Sequence, residues 1–552
     1  MLLVSFGLFA EGSQEASDTD GVAGSVVVGV TNFNGVFHYG WGQSAYDVAV
    51  RELVHGEGAL LAHDEGGKLH LNYMTESRDS SDDGLTHIFK LNKGIKFHNG
   101  SDFNAHDVVF SYEMLMDSDA MNDSGGSGSM GNYVKSVEAL DDYTVKFVLK
   151  EKLYTTDSSV FASDLNFIDK ETILAAKPAD KTVQQYIKDN ISNPNGIGPY
   201  KFVEYVENQW VKVVANEDYP GNFRGNKPSI KNIVLKVVSM ETDYDELETG
   251  NIDLLPGVVE EEKIDSAKAS DHLTYNNYLR HGYGHLTFQC DYGPVADVRV
   301  RKAIGFMIDR KTFIKVFLGS YGVSTQGPYS TNYWMISNEW VDENLIEYKP
   351  DLAKAEALLK EAGYARNAEG WHEKDGEVLE IRIACPGQSW ADTLKLSLSE
   401  KLQEKYGIKV KIQHIDFSVL LAHYNGSGTE GVEEQDRTYH AFTLATNLTQ
   451  EFDAYANWHS DQILPWSKGH SQNSARFYNK NADAYIMAMR SAANDDVFQE
   501  NYLKWIKVMN KELPVIPLYS NDYHDLYNKK IENFKTGALW KWQYAIIEAN
   551  LK

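Results

Sequence analysis

Residues 89–113 read FKLNKGIKFHNGSDFNAHDVVFSYE. Phe89, Leu91, Ile95 and Phe97 fit a short β-ribbon, with turns at Asn92-Lys93-Gly94 and Asn99-Gly100, the Asn-Gly pair being a strong hairpin signal. Asn104 suits a helix N-cap, Asp107 lies near the positive helix end, and Val108, Tyr112 and Leu115 recur at helical spacing. Strand, turn and helix in this order are expected of an α/β protein.

Four further stretches follow along the chain: Asn195-Gly196-Ile197-Gly198-Pro199-Tyr200; Asp297-Val298-Arg299-Val300-Arg301-Lys302-Ala303-Ile304 continuing to Ile308-Asp309-Arg310; Lys349-Pro350 through Leu358-Leu359-Lys360-Glu361-Ala362-Gly363-Tyr364; and Leu513-Pro514-Val515-Ile516-Pro517-Leu518-Tyr519. With residues 89–113 they resemble, in order, the motifs of the extracellular solute-binding proteins of family 5, the oligopeptide and nickel binders that feed ABC importers. The resemblance implies an α/β, two-lobed periplasmic-binding-protein fold of type II, in its large three-subdomain form, with a hinge and an interlobe cleft. It also implies a carrier and not an enzyme.

Composition agrees with this outline. A chain of 552 residues is too long for one core. Aromatics at 12%, with 32 Tyr and 11 Trp, suit pocket walls as well as cores. A formal charge of −26 argues against nucleic acid and against anionic lipid as partners. The two cysteines, Cys290 and Cys385, are too few for a disulfide framework and read as buried free thiols. Leu2 to Ala10 reads as the apolar region of a secretory signal, and 11–21 as a disordered lead-in. No lipobox cysteine stands near it, so a soluble periplasmic or extracytoplasmic protein without a lipid anchor is expected, and a monomer.

Val26 to Val30 is the expected first strand. Gly40-Trp41-Gly42-Gln43-Ser44-Ala45 matches GxGxxA but lacks the βαβ context of a dinucleotide fold. Asp117 to Asn132 reads as a loop of small and acidic residues, and Thr144 to Leu149 alternates as a half-buried strand. The resemblance divides the chain into lobe I (22–47, 191–278 and 519–552), an accessory subdomain of lobe I (48–190), and lobe II (279–518). In lobe II, Pro350 opens a helix closed by Gly363, and Lys349 stands where the family usually has an N-capping Asp. The strand Leu379–Ala384, the helix Thr393–Tyr406 and the strand Lys409–Ile415 make a βαβ unit.

No H-E-x-x-H, G-x-S-x-G or Walker motif occurs. His281, Tyr283 and His285 alternate in HGYGH, but a metal would need further ligands, so neither metal nor cofactor is expected. By resemblance, Tyr278, Tyr283 and His285 on the segment that crosses between lobes, Phe33, Asn34 and Trp41 in the first-strand loop, and Asn521 beyond the last motif are ligand-binding residues. Asn447, Gln450 and Asp453 belong to the same set. In oligopeptide binders the corresponding segment reads W-x-x-D-Y-P-D-P, whose first Asp pairs with the ligand ammonium; here Gln450 stands at that position and Asn447 at the Trp. The expected cargo is an oligopeptide, or an oligosaccharide, handed to a membrane-embedded ABC permease.

Overall fold

The strand Val515–Asn528, 14 residues long, is buried along most of its length, as a strand flanked by others must be. It extends nine residues past the motif that announced it and organises the main sheet. The structure, a computed structural model, describes residues 24–38, 44–56, 59–116, 130–162, 165–427, 433–449, 452–469 and 471–552. A 12-stranded sheet runs in the order Lys409–His414, Glu380–Cys385, Ala441–Asn447, Gly282–Phe288, Val515–Asn528, Leu254–Val258, Ser25–Val30, Asn232–Val237, Trp210–Ala215 and Tyr200–Val206, while Leu273–Leu279 and Gly322–Val323 also pair with the long strand. Ser25–Val30 is parallel to Asn232–Val237. Asp253 ties the start of that first strand down, accepting from the Val27 N–H at 2.9 Å.

Residues 89–91 end a strand of a separate 4-stranded antiparallel sheet, in which Thr86–Leu91 lies between Thr75–Ser80 and Thr144–Leu149. Both edges of this strand are therefore taken, and Ile95 and Phe97 form no ribbon with it. They enter a tight loop closed by one bridge, Lys96 to Asp102, with Gly94 and Gly100 at φ 83° and 95° as their turns require. The helix follows at Ala105–Met116. Asn104 Oδ1 accepts from the His106 N–H at 2.8 Å, and the Asp107 carboxylate accepts from the Asn104 N–H at 2.9 Å. Burial pushes the Asp107 carboxyl up to about 6. Val108, Tyr112 and Leu115 enter one core with Phe89, Phe97, Phe103 and Phe147.

Gly196 and Gly198 are glycines for want of space, since a Cβ on either would strike the backbone at Val54–Gly56. That approach lets the Gly198 N–H reach the Val54 carbonyl at 2.9 Å and close the end of the helix Ala45–His55. Asp297 and Asp309 cap the helices Val298–Gly305 and Arg310–Leu318. The next helix is Leu352–Glu361, capped by Asp351, whose carboxylate accepts from the Lys354 N–H at 3.1 Å. Lys349 therefore costs this helix nothing; the capping carboxylate is two residues further on. The βαβ unit forms with Glu380–Cys385 parallel to Lys409–His414, and two helices, Gln388–Ser397 and Glu400–Tyr406, replace the single expected one. Cys290 and Cys385 are unpaired, and burial raises both thiols to about 11. Among the described residues no helix is long and apolar enough to cross a membrane.

Burial lowers His38, His98 and His440 to about 4 and His285 to about 3. Each binds fewer protons folded than unfolded, so the stability it contributes is present above pH ~6.5 and is lost as pH falls toward the folded value. Asp107 and Asp525, both raised to about 6 by burial, act in the opposite sense between about pH 4 and 6. With four histidines against two aspartates, calorimetric melting temperature is expected to fall as the buffer goes from pH 7 to pH 4.5. A melting temperature that rises over this interval contradicts the assignment of neutral buried imidazoles.

Candidate functional site

Two crossing segments meet at the long strand. Leu273–Leu279 runs antiparallel to it with Leu279 opposite Asp522, and Gly282–Phe288 runs antiparallel to its other end with Gly284 opposite Tyr519. Between them the Arg280 N–H donates to the Asn521 carbonyl at 2.9 Å, and the Ser520 hydroxyl donates to the Gly282 carbonyl at 2.8 Å. The chain passes from one partner segment to the next with its backbone hydrogen bonds kept.

The alternation in HGYGH follows from this crossing. A Cβ on Gly282 would strike the Thr446 carbonyl oxygen of the neighbouring strand and come within 3.1 Å of Arg280 Nε; a Cβ on Gly284 would strike the Tyr519 ring. The two glycines thus form a floor on which the Arg280 guanidinium and the Tyr519 ring lie. His281, Tyr283 and His285 are all buried. His281 Nε2 donates to the Thr449 carbonyl at 2.8 Å with its ring edge-on to Tyr333. His285 Nδ1 is 2.8 Å from the Thr287 hydroxyl, and burial keeps its imidazole neutral. Among the described residues no three His, Cys, Asp or Glu are grouped to hold a metal ion.

Tyr278 packs its ring 6.1 Å from Tyr523, and burial, with Asp525 beside it, raises its phenol. Asn447, exposed at the end of Ala441–Asn447, gives its Oδ1 to Arg280 Nε at 2.9 Å and Nη2 at 2.8 Å. Asn521 is buried in the long strand next to Arg280. Tyr278, Asn447 and Asn521 are thus gathered around the crossing, with Tyr283 and His285 on the adjacent strand. Asp453 lies further along: it pairs with Arg490 Nε at 3.2 Å, and the Arg490 guanidinium covers the Tyr455 ring at 4.3 Å.

The first-strand loop is different. Phe33 is a core residue, its ring meeting Phe37 and Tyr205 edge-on, because a large apolar side chain beside a helix is stabilised by burial. Asn34 is exposed, and its N–H is anchored by the Asp47 carboxylate at 3.1 Å. Trp41 and Gln450 lie outside the described residues.

Three residues unmarked in the sequence reading make these contacts: Arg280 at the crossing, Arg490 on Asp453, and Tyr154 on Arg490. Tyr154, of the region that carries the 4-stranded sheet, stacks on Phe498 with centroids 4.2 Å apart. Its N–H donates to the Arg490 carbonyl and its hydroxyl to Asp495, both at 2.8 Å. Burial, with Asp453 close by, raises the neighbouring Tyr133 phenol. Only the glycines beside Arg280 gave a local sign of any of these.

The chain belongs to the family described as bacterial extracellular solute-binding proteins, family 5 Middle, whose model matches residues 71–469. It is a family of carriers that bind small solutes for ABC transporters, not of enzymes. The chain is 27% identical over 468 residues to the oligopeptide-binding protein AppA of Bacillus subtilis, covering 84% of this chain and 80% of that one. It is 30% identical over 314 residues to heme-binding protein A of Haemophilus influenzae, covering 54% of each. The solved structure of Bacillus subtilis AppA in complex with a nonapeptide superposes with a TM-score of 0.76 at 24% identity, covering 96% of this chain and 99% of that one, so the two share the α/β fold.

The glycine floor makes a direct prediction. Gly282→Ala and Gly284→Ala should each destabilise the protein by about 1–3 kcal/mol through overpacking, whereas Gly537→Ala, whose Cβ would meet nothing within 4 Å, should shift the denaturant midpoint little. Guanidinium unfolding of the three variants checks this, and equal midpoints would remove the steric reading of HGYGH.

Proposed function

We propose that this solute-binding protein captures an oligopeptide in a cleft between two lobes and delivers it to the permease of an ABC importer. In this reading residues 22–47, 191–278 and 519–552 form lobe I, 48–190 its accessory subdomain, and 279–518 lobe II, the lobes meeting where the chain crosses at Arg280 and at Tyr519. Support for a peptide comes chiefly from one observation: likeness to an oligopeptide binder extends along 84% of the chain, against 54% for the heme binder. Export through a signal peptide and action as a monomer outside the cytoplasmic membrane complete the proposal.

Tyr278, Tyr283, His285, Asn447 and Asn521 are the proposed ligand-facing residues, with aromatic walls supplying affinity through buried area. Gln450 takes the position at which relatives of the oligopeptide type carry an ammonium-pairing Asp, and a neutral amide supplies no charge-assisted bond. Asp453 does not replace it freely, because its carboxylate is already compensated by Arg490 at 3.2 Å. Drawing it to a ligand ammonium would leave Arg490 unpaired in a half-buried setting, which is costly.

Native mass spectrometry of protein purified without denaturation should reveal a retained peptide. Calorimetry of that peptide and its N-acetylated form should then give dissociation constants within about threefold of one another. A loss near a thousandfold on acetylation, about 4 kcal/mol, would mean that a carboxylate holds the amine; a retained sugar or heme would replace the peptide reading altogether.

A further inference from the structure

Arg280 is a cation without an acid. Its Nε and Nη2 both donate to the single neutral oxygen Asn447 Oδ1, and the guanidinium also hydrogen-bonds the Tyr519 phenol. Among the described residues no carboxylate forms an ion pair with it, although the chain has 79 acidic residues against 53 basic ones. Other buried arginines are differently served. Arg301 and Arg310 are wrapped by backbone carbonyls, and Arg437 and Arg476 share Asp291. Arg280 is only half-buried, and the partners recorded for its guanidinium, the Asn447 amide and the Tyr519 phenol, are neutral.

The surroundings are built to hold this guanidinium in place. Gly282 leaves the room it occupies, with Nε 3.1 Å from where a Cβ would stand. The Tyr523 ring lies 5.9 Å from its centre, an arrangement that steadies the cation without neutralising it. Its backbone is fixed by Asn521 on the long strand, and Asn447 is exposed, so the site opens to solvent on that side. A planar guanidinium held on a rigid floor by neutral partners, with no acid among them, matches the two oxygens of a carboxylate, which can take the edge now turned to the exposed Asn447 amide.

We propose that Arg280 is the anion-recognising residue of the cleft and takes a carboxylate of the bound solute. Resting on the peptide reading above, that carboxylate is the C-terminal one. The assignment makes Arg280, and not only the aromatic walls, a determinant of specificity.

The experiment is calorimetric titration of wild-type, Arg280→Gln and Arg280→Lys proteins with four probes: trialanine, trialanine amide, maltotriose and a trisaccharide bearing one uronic acid. Melting curves first establish that each variant is folded. Wild type is expected to prefer trialanine over its amide by ~10- to 100-fold, the worth of a charge-assisted hydrogen-bond pair. Arg280→Gln should bring the ratio to about 1 by weakening the acid alone, and Arg280→Lys should restore part of it. Equal binding of acid and amide by wild type, or an unchanged ratio in Arg280→Gln, overturns the assignment. If neither peptide binds but the uronic-acid sugar exceeds maltotriose in an Arg280-dependent way, the peptide reading fails and Arg280 stands. If maltotriose binds as well as the acidic sugar, both fail.

Discussion

One strand must satisfy two sets of neighbours. Val515–Asn528 gives its first residues to Gly282–Phe288 and its last to Leu273–Leu279 and Leu254–Val258. Every buried N–H and C=O on these partners has to find a mate, so the position of each partner segment is fixed by the register of the other. Pro517 stands within this strand, where a missing donor is tolerated only at an irregularity, and the register indeed shifts between Gly284 and His285. The carbonyl of Pro517 is not wasted: Arg310 donates to it at 3.1 Å, and the same guanidinium reaches Thr325 and Tyr348 carbonyls at 2.7 and 2.8 Å. The Ile308-Asp309-Arg310 stretch is thus a stitch from a helix start to the irregular point of the strand, with Asp309 capping the helix and Arg310 filling the gap.

Such stitches explain which features could be read from residues alone. Helix caps, glycine turns and alternating strands are local, so Asn104 and Thr144–Leu149 declared themselves. The cap at Asp351 was misread because Pro350 is itself a good first helical residue, and nothing local says that the helix begins two residues later, at Leu352. Ile95 and Phe97 misled for a related reason: their alternation is real, and both are buried, but the strand they would extend is occupied on both edges by distant partners. A single helix was expected between Glu380 and Lys409, since Leu398-Ser399, where the two helices part, carries no Gly or Pro to mark the break.

The candidate site was legible only in part. Tyr278, Tyr283 and His285 announce an aromatic crossing segment, yet the partner of Arg280 is Asn447, 167 residues away, and that meeting depends on the pairing of Gly282 with Asn447 across two strands. Asp453 was recognised without Arg490, its partner on the helix Lys480–Arg490, for the same reason. An aromatic residue after a first strand can border a cleft or fill a core, and the Phe33 ring packs on Phe37 and Tyr205.

Tyr154 touches the helix pair of residues 480–512 through a stacked ring and two hydrogen bonds, at a distance in sequence from every proposed ligand-facing residue. In the two-lobed reading these contacts exist only while the accessory subdomain and lobe II are together, and, involving no cargo, they favour that arrangement by themselves. Such an unliganded bias sets the fraction of molecules already in the competent state, and the measured dissociation constant is the intrinsic one divided by that fraction. In that reading Tyr154 is a place where affinity can be tuned apart from the choice of cargo: a carrier can be adapted to scarce or abundant solute by changing how readily it shuts, and not what it recognises.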